Sequence, residues 1–171
     1  MPRTNGRRKG FKLALVSNSR RPLVRKILAA IGLGTEMFDA VVTSSDAEPK
    51  PSHASFKLAM TRLGCTPGHT VYVGHRIDSE LRPAHELGIT SILVAPGTDD
   101  QSSQYVDLAL EDVTKLPEAL TRRETAALSI LSSADTPQRG LPRIAWGLNL
   151  WKISSHDSDD CLILSWIVRN L

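Results

Sequence analysis

Three titratable side chains follow a short apolar run in the middle of the sequence. The run Val71–Val73 ends at Gly74, and His75, Asp78 and Glu80 come shortly after it. In open α/β sheets, ligands bind outside the carboxyl ends of the strands, so these side chains lie where chemistry is expected. Carboxylate oxygens are ligands that Mg²⁺ takes in proteins. The chemistry that this acidic loop could support is therefore the binding of a cation.

Further polar residues stand at the ends of two other predicted elements. The apolar run Phe11–Val16 is followed by Ser17 and Asn18, and Lys50 lies in a Glu-Pro-Lys-Pro motif that opens a predicted helix. A hydroxyl at the end of a strand can donate to a phosphate oxygen, helped by backbone N–H groups at a helix start. A lysine supplies a compact positive charge. Taken singly, however, Ser17 would be a helix cap and Lys50 a solvated residue.

Strands and helices alternate along residues 11–123, and this alternation positions the polar residues. Short apolar runs predict the strands, and apolar residues three or four positions apart predict the helices. The predicted strands are Phe11–Val16, Phe38–Thr43, Val71–Val73, Ile89–Val94 and Val106–Leu110. Four helices are predicted. The first follows a cap at Asn18 or Ser19, the second is opened by Lys50, the third runs to Gly88, and the last covers Leu116–Arg123. The pattern predicts an α/β fold with a Rossmann-like parallel sheet and helices on both faces.

The composition changes along the chain and divides it into three parts. Residues 1–26 hold nine Lys or Arg and no acidic residue. This charge indicates a solvated leader or, as the less favoured alternative, a contact with nucleic acid. Residues 129–140 are rich in Ser, Asp, Pro and Gly, which is typical of a linker. We therefore predict a basic flexible leader at 1–10, an α/β core at 11–123, and a linker with a C-terminal appendage at 124–171.

The apolar and cysteine content bear on the compartment. The longest apolar run, Cys161–Val168, is too short to span a bilayer, so no membrane association is expected. Cys65 and Cys161 match no metal-binding spacing and indicate no disulfide framework. A reducing compartment is therefore predicted, and with it a cytoplasmic location.

Three features in this order resemble the haloacid dehalogenase (HAD) superfamily of phosphatases and related hydrolases, particularly its phosphoglycolate-phosphatase-like branch. They are the strand ending in Ser17 and Asn18, the motif around Lys50, and the stretch from Val71 to Glu80 with its following helix. The resemblance covers roughly residues 11–120. It implies that Ser17 and Asn18 bind the phosphate of a small phosphorylated molecule. It also implies that Lys50 neutralises that phosphate as a catalytic residue, and that Asp78 and Glu80 hold Mg²⁺.

The sequence departs from the family pattern in two places. The family nucleophile lies in an Asp-x-Asp motif after an N-terminal apolar strand, but residues 1–35 contain no Asp. We therefore expect the first strand and the cap domain of the family to be missing. The family also has Asp directly after the loop glycine and again five residues on, where this sequence has His75 and Glu80. Because neutral imidazole is a poor ligand for a hard cation, Mg²⁺ binding is expected to be weak or absent.

These departures leave three hypotheses for function. The first is a HAD-like hydrolase by descent that is inactive as this isolated chain, because the nucleophile motif is absent. The second is a non-catalytic phosphate-binding or protein-binding module. The third is a basic protein that contacts nucleic acid, and its binding would fall steeply with salt.

The resemblance also predicts a vacant position in the middle of the sheet. The family's first strand separates the strand that ends at Ser17 from the strand that ends at Gly74. Unpaired strand edges are unfavourable. The vacant position therefore has to be filled or closed, or its edges stay unpaired. The apolar run Cys161–Val168 could fill the slot, or Leu13–Val16 could pair directly with Val71–Val73. Otherwise the gap stays unfilled and prone to aggregation, or a partner chain fills it.

Overall fold

The described part of the chain forms a sheet with helices packed on both of its faces. The structure is a computed structural model that describes residues 11–95, 103–120 and 160–165. In chain order the elements are β1 (Lys12–Val16), α1 (Arg21–Ala30), β2 (Ala40–Val42), α2 (Ala54–Leu63), β3 (Thr70–Gly74), α3 (Arg82–Glu86), β4 (Thr90–Val94), β5 (Leu108–Leu110) and β6 (Cys161–Leu164). A π-helical turn at Ile77–Leu81 precedes α3, and residues 116–120 are helical.

All six strands belong to one parallel sheet with the order β2-β1-β6-β3-β4-β5. The predicted α/β fold with a parallel sheet is therefore confirmed. Each strand expected within residues 11–123 is present, although some are shorter than predicted; the last one begins at Leu108 instead of Val106. The parallel direction brings the carboxyl ends of β1, β3 and β6 to the same edge of the sheet.

The central position of the sheet is occupied by β6. Leu162 pairs with Leu13 of β1 on one side and with Val71 of β3 on the other. The hypothesis that the run beginning at Cys161 fills the vacant slot is confirmed, and direct pairing of Leu13–Val16 with Val71–Val73 is wrong. The physical reason is that β6 satisfies backbone groups on both inner edges and buries Cys161, Leu162 and Ile163.

The placement of β6 bears on the predicted division of the chain into a leader, a core and an appendage. The position that the resemblance assigns to a missing first strand is taken by β6, and the predicted partner chain stays a prediction. Residues 160–165 belong to the same sheet as residues 11–95. The predicted leader at 1–10 and most of the predicted linker, residues 124–159, lie outside the described residues, so the three-part division stays a prediction.

Helices cover both faces of the sheet, as predicted. Side chains alternate along β1, so that Leu13 and Leu15 enter the core beneath α1, while Ala14 and Val16 enter the core beneath α2. Val24 and Leu28 fill the first core from α1. The four predicted core residues of α2 fill the second core and are all buried: Phe56, Ala59, Met60 and Leu63.

The ends of the helices show where local prediction succeeded and where it failed. α1 ends before Gly32, which adopts φ +73°, and α2 ends at Gly64 with φ +68°, both in the left-handed region that glycine tolerates. The expected cap of α1 by Asn18 or Ser19 is wrong, because the helix begins at Arg21 and Arg20 occupies the cap position without a side-chain bond. The Asn18 side chain is used elsewhere, in contacts with Lys50.

A disulfide joins the central strand to the helix that covers it. Cys65 follows α2 and Cys161 begins β6, and their Cα atoms are 6.4 Å apart, within the usual range. The expectation that the cysteines form no disulfide is wrong, because the two residues are 96 positions apart and only the placement of β6 brings them together. The cysteine pattern therefore gives no support to a reducing compartment, and the cytoplasmic location stays a prediction.

Among the described residues, no helix combines the length and the apolar character that crossing a membrane requires.

Candidate functional site

A cavity opens at the edge of the sheet where β1, β3 and β6 end. Its volume is about 410 Å³, which is within the range of small-molecule sites. Ser17 follows β1, Ser165 follows β6, and Lys50 enters from the loop before α2. Glu80 enters from the π-helical turn after β3. The structure thus brings together four polar side chains that are far apart in sequence, and all four are largely buried.

Asn18 fixes the backbone of Lys50 against the end of β1. Its Oδ1 accepts from Lys50 N at 2.8 Å, and its Nδ2 donates to Lys50 O at 2.9 Å. A side-chain amide that uses both its donor and its acceptor on the backbone of one residue holds that residue in one position. Asn18 therefore lies in the predicted site, but its side chain positions Lys50, while Ser17 presents its hydroxyl to the cavity.

Lys50 and Glu80 form a buried ion pair at the base of the cavity. Lys50 Nζ donates to Glu80 Oε1 at 2.7 Å and to the Tyr72 hydroxyl at 3.0 Å. Only 4% of the Lys50 side chain and 7% of the Glu80 side chain are exposed. A buried charge of this kind is tolerated only because its partner and its hydrogen bonds replace water.

Burial and pairing act in opposite directions on the two charges. Burial lowers the pKa of Lys50, while the charge of Glu80 and its hydrogen bond oppose that change. Burial alone would raise the pKa of Glu80, but the charge and hydrogen bond of Lys50 outweigh burial and hold the pKa below its usual value. Burial also raises the pKa of Tyr72, and the nearby Glu80 charge adds to this rise. Glu80 is therefore an ionised acceptor, and Tyr72 remains a neutral phenol.

Ser165 completes the hydrogen bonding of Glu80 and was not predicted as a site residue. Its Oγ donates to Glu80 Oε1 at 2.9 Å. The backbone N–H groups of His75 and Arg76 donate to the other oxygen, Oε2, at 3.1 and 3.3 Å. One signal in the sequence could have identified Ser165. If the run from Cys161 is the central strand, a residue directly after that strand must lie at the same edge as Ser17.

The two predicted metal ligands do not form a Mg²⁺ site. Both oxygens of Glu80 are engaged by Lys50, Ser165 and the two backbone N–H groups. Asp78 is exposed and lines a neighbouring cavity of about 450 Å³, which Glu80 does not line. Among residues 11–95, 103–120 and 160–165, no group of three or more His, Cys, Asp or Glu residues could hold a metal ion. The described residues therefore do not fit Mg²⁺.

His75 lies between the two cavities and lines both of them. Its Nδ1 is 3.2 Å from Glu80 Oε2, but the two atoms lack the alignment of a hydrogen bond. The contact is therefore a close approach of polar groups. The imidazole lines the cavity next to Arg76.

Another acidic residue, Asp46, belongs to a separate cluster. Its carboxylate accepts hydrogen bonds from Arg21 of α1, from Arg62 of α2 and from Thr43. Burial alone would raise the pKa of Asp46, but the bonds from Thr43 and the two arginines outweigh burial and hold the pKa well below its usual value. With its oxygens already bonded, Asp46 links two helices to the end of β2 and does not line the 410 Å³ cavity.

A parallel α/β sheet with a buried lysine and carboxylate at its carboxyl edge defines the chain as a member of the class of HAD-like hydrolases. The family model described as haloacid dehalogenase-like hydrolase matches residues 7–94, and this chain belongs to that family. The match includes Ser17, Asn18, Lys50 and Glu80. It ends well before β6, so Ser165 lies outside it.

Known relatives are consistent with this assignment. The chain is 29% identical over 119 residues to a glyceraldehyde 3-phosphate phosphatase from Methanocaldococcus jannaschii, which covers 66% of this chain and 52% of the relative. It is 36% identical over 107 residues to haloacid dehalogenase-like hydrolase domain-containing protein 3 from Mus musculus, covering 62% of this chain and 39% of the relative. The chain thus spans about half the length of the archaeal relative, and a smaller share of the murine one.

A solved structure shows the same fold. The crystal structure of a HAD phosphatase from Thermococcus onnurineus superposes with a TM-score of 0.61 at 27% sequence identity. The superposition covers 70% of this chain and 57% of the other chain.

Proposed function

We propose that this chain is a phosphate-binding member of the HAD-like family that does not hydrolyse phosphate monoesters at an enzymatic rate. The observation that carries the proposal is Ser165, which follows the central strand at the place where the resemblance puts the nucleophilic Asp. The sequence there is Ser165-Trp166-Ile167 in place of Asp-x-Asp. The site therefore keeps the lysine and the strand-end hydroxyl but has a hydroxyl in the nucleophile position.

The groups that remain are suited to holding a phosphate. Lys50 Nζ uses two of its three N–H groups within the described residues, on Tyr72 and Glu80, so one donor is left for an anion in the cavity. The Ser17 hydroxyl supports a tight turn by accepting from Ser19 N at 3.1 Å, and its proton can still be donated to a phosphate oxygen. Arg76 adds a positive charge at the rim. Ser17 and Lys50 are thus the proposed phosphate ligands, with Asn18 positioning Lys50.

The same contacts argue against covalent catalysis by Ser165. A serine hydroxyl needs a nearby base to become a nucleophile. Its partner here is Glu80, whose pKa is held low by Lys50, so Glu80 is a weak base for a hydroxyl. Because the described residues also do not fit Mg²⁺, no reaction step through a metal is derived. Binding without turnover is what this set of groups supports.

Calorimetry with inorganic phosphate and an assay with an aryl phosphate test the proposal together. We expect binding of phosphate with a Kd of about 1 mM, and a loss of about tenfold or more in Ser17→Ala, because a hydrogen bond to a charged group is removed. Ser55→Ala is the matched control, since Ser55 is buried on α2 and does not line the cavity. Its affinity should stay unchanged.

Two results would overturn the proposal. The first is a failure of the wild-type chain to bind phosphate at all. The second is hydrolysis of an aryl phosphate with Mg²⁺ near about 1 s⁻¹, the low end for enzymes, that disappears in Lys50→Ala. Slow release of phosphate that is the same in the wild type and in the variant would support binding without catalysis.

A further inference from the structure

One wall of the 410 Å³ cavity is apolar, although the groups around it are charged. Leu23 and Ile27 of α1 line the cavity opposite the polar strand ends. Leu23 is 49% exposed, which is unusual for a large apolar side chain in the described part of the chain. Ile27 is half-buried. The two residues are four positions apart, so they lie on the same side of the helix.

The core of the protein does not account for this wall. The apolar stripe of α1 is wide, and Val24 and Leu28, which follow Leu23 and Ile27 in sequence, already fill the core beneath the helix. Leu23 and Ile27 extend the stripe beyond the core and into the cavity. Apolar side chains that line a cavity beside a few polar groups are the usual composition of a small-molecule site.

The cavity is also too large for a bare phosphate. A water molecule takes about 30 Å³ of liquid volume, so 410 Å³ leaves considerable space beyond an ion held by Ser17 and Lys50. That space has the apolar wall on one side and Arg76 and His75 at the rim. A ligand that fills it must combine an anionic group with an apolar body.

We propose that the ligand of this site is an organic phosphate whose apolar portion packs on Leu23 and Ile27. This inference rests on the proposed phosphate-binding function and adds its ligand class. The phosphate binds Lys50 and Ser17, and the apolar group covers the exposed part of Leu23. Leu23 therefore determines which phosphate compound is preferred, and it does not contact the phosphate itself.

The affinities of the full chain for inorganic phosphate and for phenyl phosphate, measured by calorimetry, test this inference. Covering about two methylene groups of apolar surface corresponds to roughly tenfold in affinity. We expect phenyl phosphate to bind the wild type about tenfold more tightly than inorganic phosphate does. In Leu23→Ser that preference should disappear, while the affinity for inorganic phosphate should stay within about twofold.

Two further variants make the result specific to Leu23. Leu23→Met keeps the apolar volume and should keep the preference for phenyl phosphate. Ala30→Ser changes an exposed position of the same helix that does not line the cavity, and it should leave both affinities unchanged. Because Leu23 is half exposed, none of these changes should affect folding, and the melting temperature of each variant checks this.

The outcomes separate this inference from the function on which it rests. If inorganic phosphate binds the wild type but phenyl phosphate binds no more tightly, the apolar wall is not part of the ligand site and the inference is wrong. A preference that persists in Leu23→Ser also overturns it. If neither compound binds the wild type, the proposed phosphate-binding function fails, and the inference fails with it.

Discussion

Among the described residues, Asp46 and Glu80 are carboxylates with cationic partners, Asp46 half-buried and Glu80 buried, and the two clusters differ in what they leave available. Asp46 accepts from Thr43, Arg21 and Arg62, and these groups lie outside the cavity lining. Glu80 accepts from Lys50 and Ser165 at the base of the cavity. Both carboxylates have a lowered pKa, and in both burial acts against that lowering.

The difference shows that a buried ion pair alone does not identify a functional site. In the Asp46 cluster two arginines from two helices hold the carboxylate at the end of β2, which is a structural link. In the Glu80 cluster the lysine keeps one N–H group without a partner within the described residues, and that group adjoins open volume. The second cluster is more deeply buried than the first, and it differs also in the hydrogen-bonding capacity that Lys50 retains next to a cavity.

The largest expected effect is on stability when Glu80 is removed. Glu80→Leu leaves the Lys50 ammonium buried without its partner, and removing one member of such a pair costs about 3–5 kcal/mol in the free energy of unfolding. The double variant Lys50→Met with Glu80→Leu removes both charges and should recover most of that loss. Urea unfolding measures both. A single variant that loses less than about 1 kcal/mol would mean that the pair is effectively solvated.

Removal of the Asp46 charge should have a smaller effect. Asp46→Asn weakens the bonds to Arg21 and Arg62, whose side chains are 33% and 38% exposed, so water can replace part of what is lost. We expect a loss of about 2 kcal/mol in the free energy of unfolding. Phosphate affinity should not change, because the cluster does not line the cavity. If phosphate affinity falls by tenfold while the fold is kept, the distinction between the two clusters is wrong.

Acid titration extends the comparison. The folded-state pKa of Asp46 lies below its unfolded value, so its stabilising contribution is present above about pH 4 and is lost as the pH falls towards the folded pKa. We expect the free energy of unfolding to fall below about pH 4 in the wild type and to fall less steeply in Asp46→Asn. Parallel curves for the two proteins would show that Asp46 has no lowered pKa.

The smallest expected effect on stability comes from single hydroxyl groups, one in each cluster. Ser165→Ala removes a donor to Glu80, and Thr43→Val removes a donor to Asp46. Each should cost about 1 kcal/mol in urea unfolding. Only Ser165→Ala should alter phosphate affinity, since only Ser165 lines the cavity. Equal effects of the two changes on phosphate affinity would contradict the separation of the clusters.

Local pattern determined much of the fold and part of the site. The alternation of apolar runs and helical periods predicted the parallel sheet. The family resemblance implied that Ser17 and Lys50 share a site, and the structure places both at the cavity. Their roles as phosphate ligands stay a prediction. Periodicity and strand direction are local properties, so they can be recognised in the sequence.

Only the tertiary structure decided what stands between β1 and β3. A run of four apolar residues such as Cys161–Leu164 carries no information about which strands it pairs with, because sheet pairing joins residues of any sequence separation. From that pairing follow the Cys65–Cys161 disulfide and the position of Ser165 on Glu80. The sequence determined the chemical groups and the elements that present them, whereas long-range packing decided which groups meet and which hydrogen bonds remain free for a ligand.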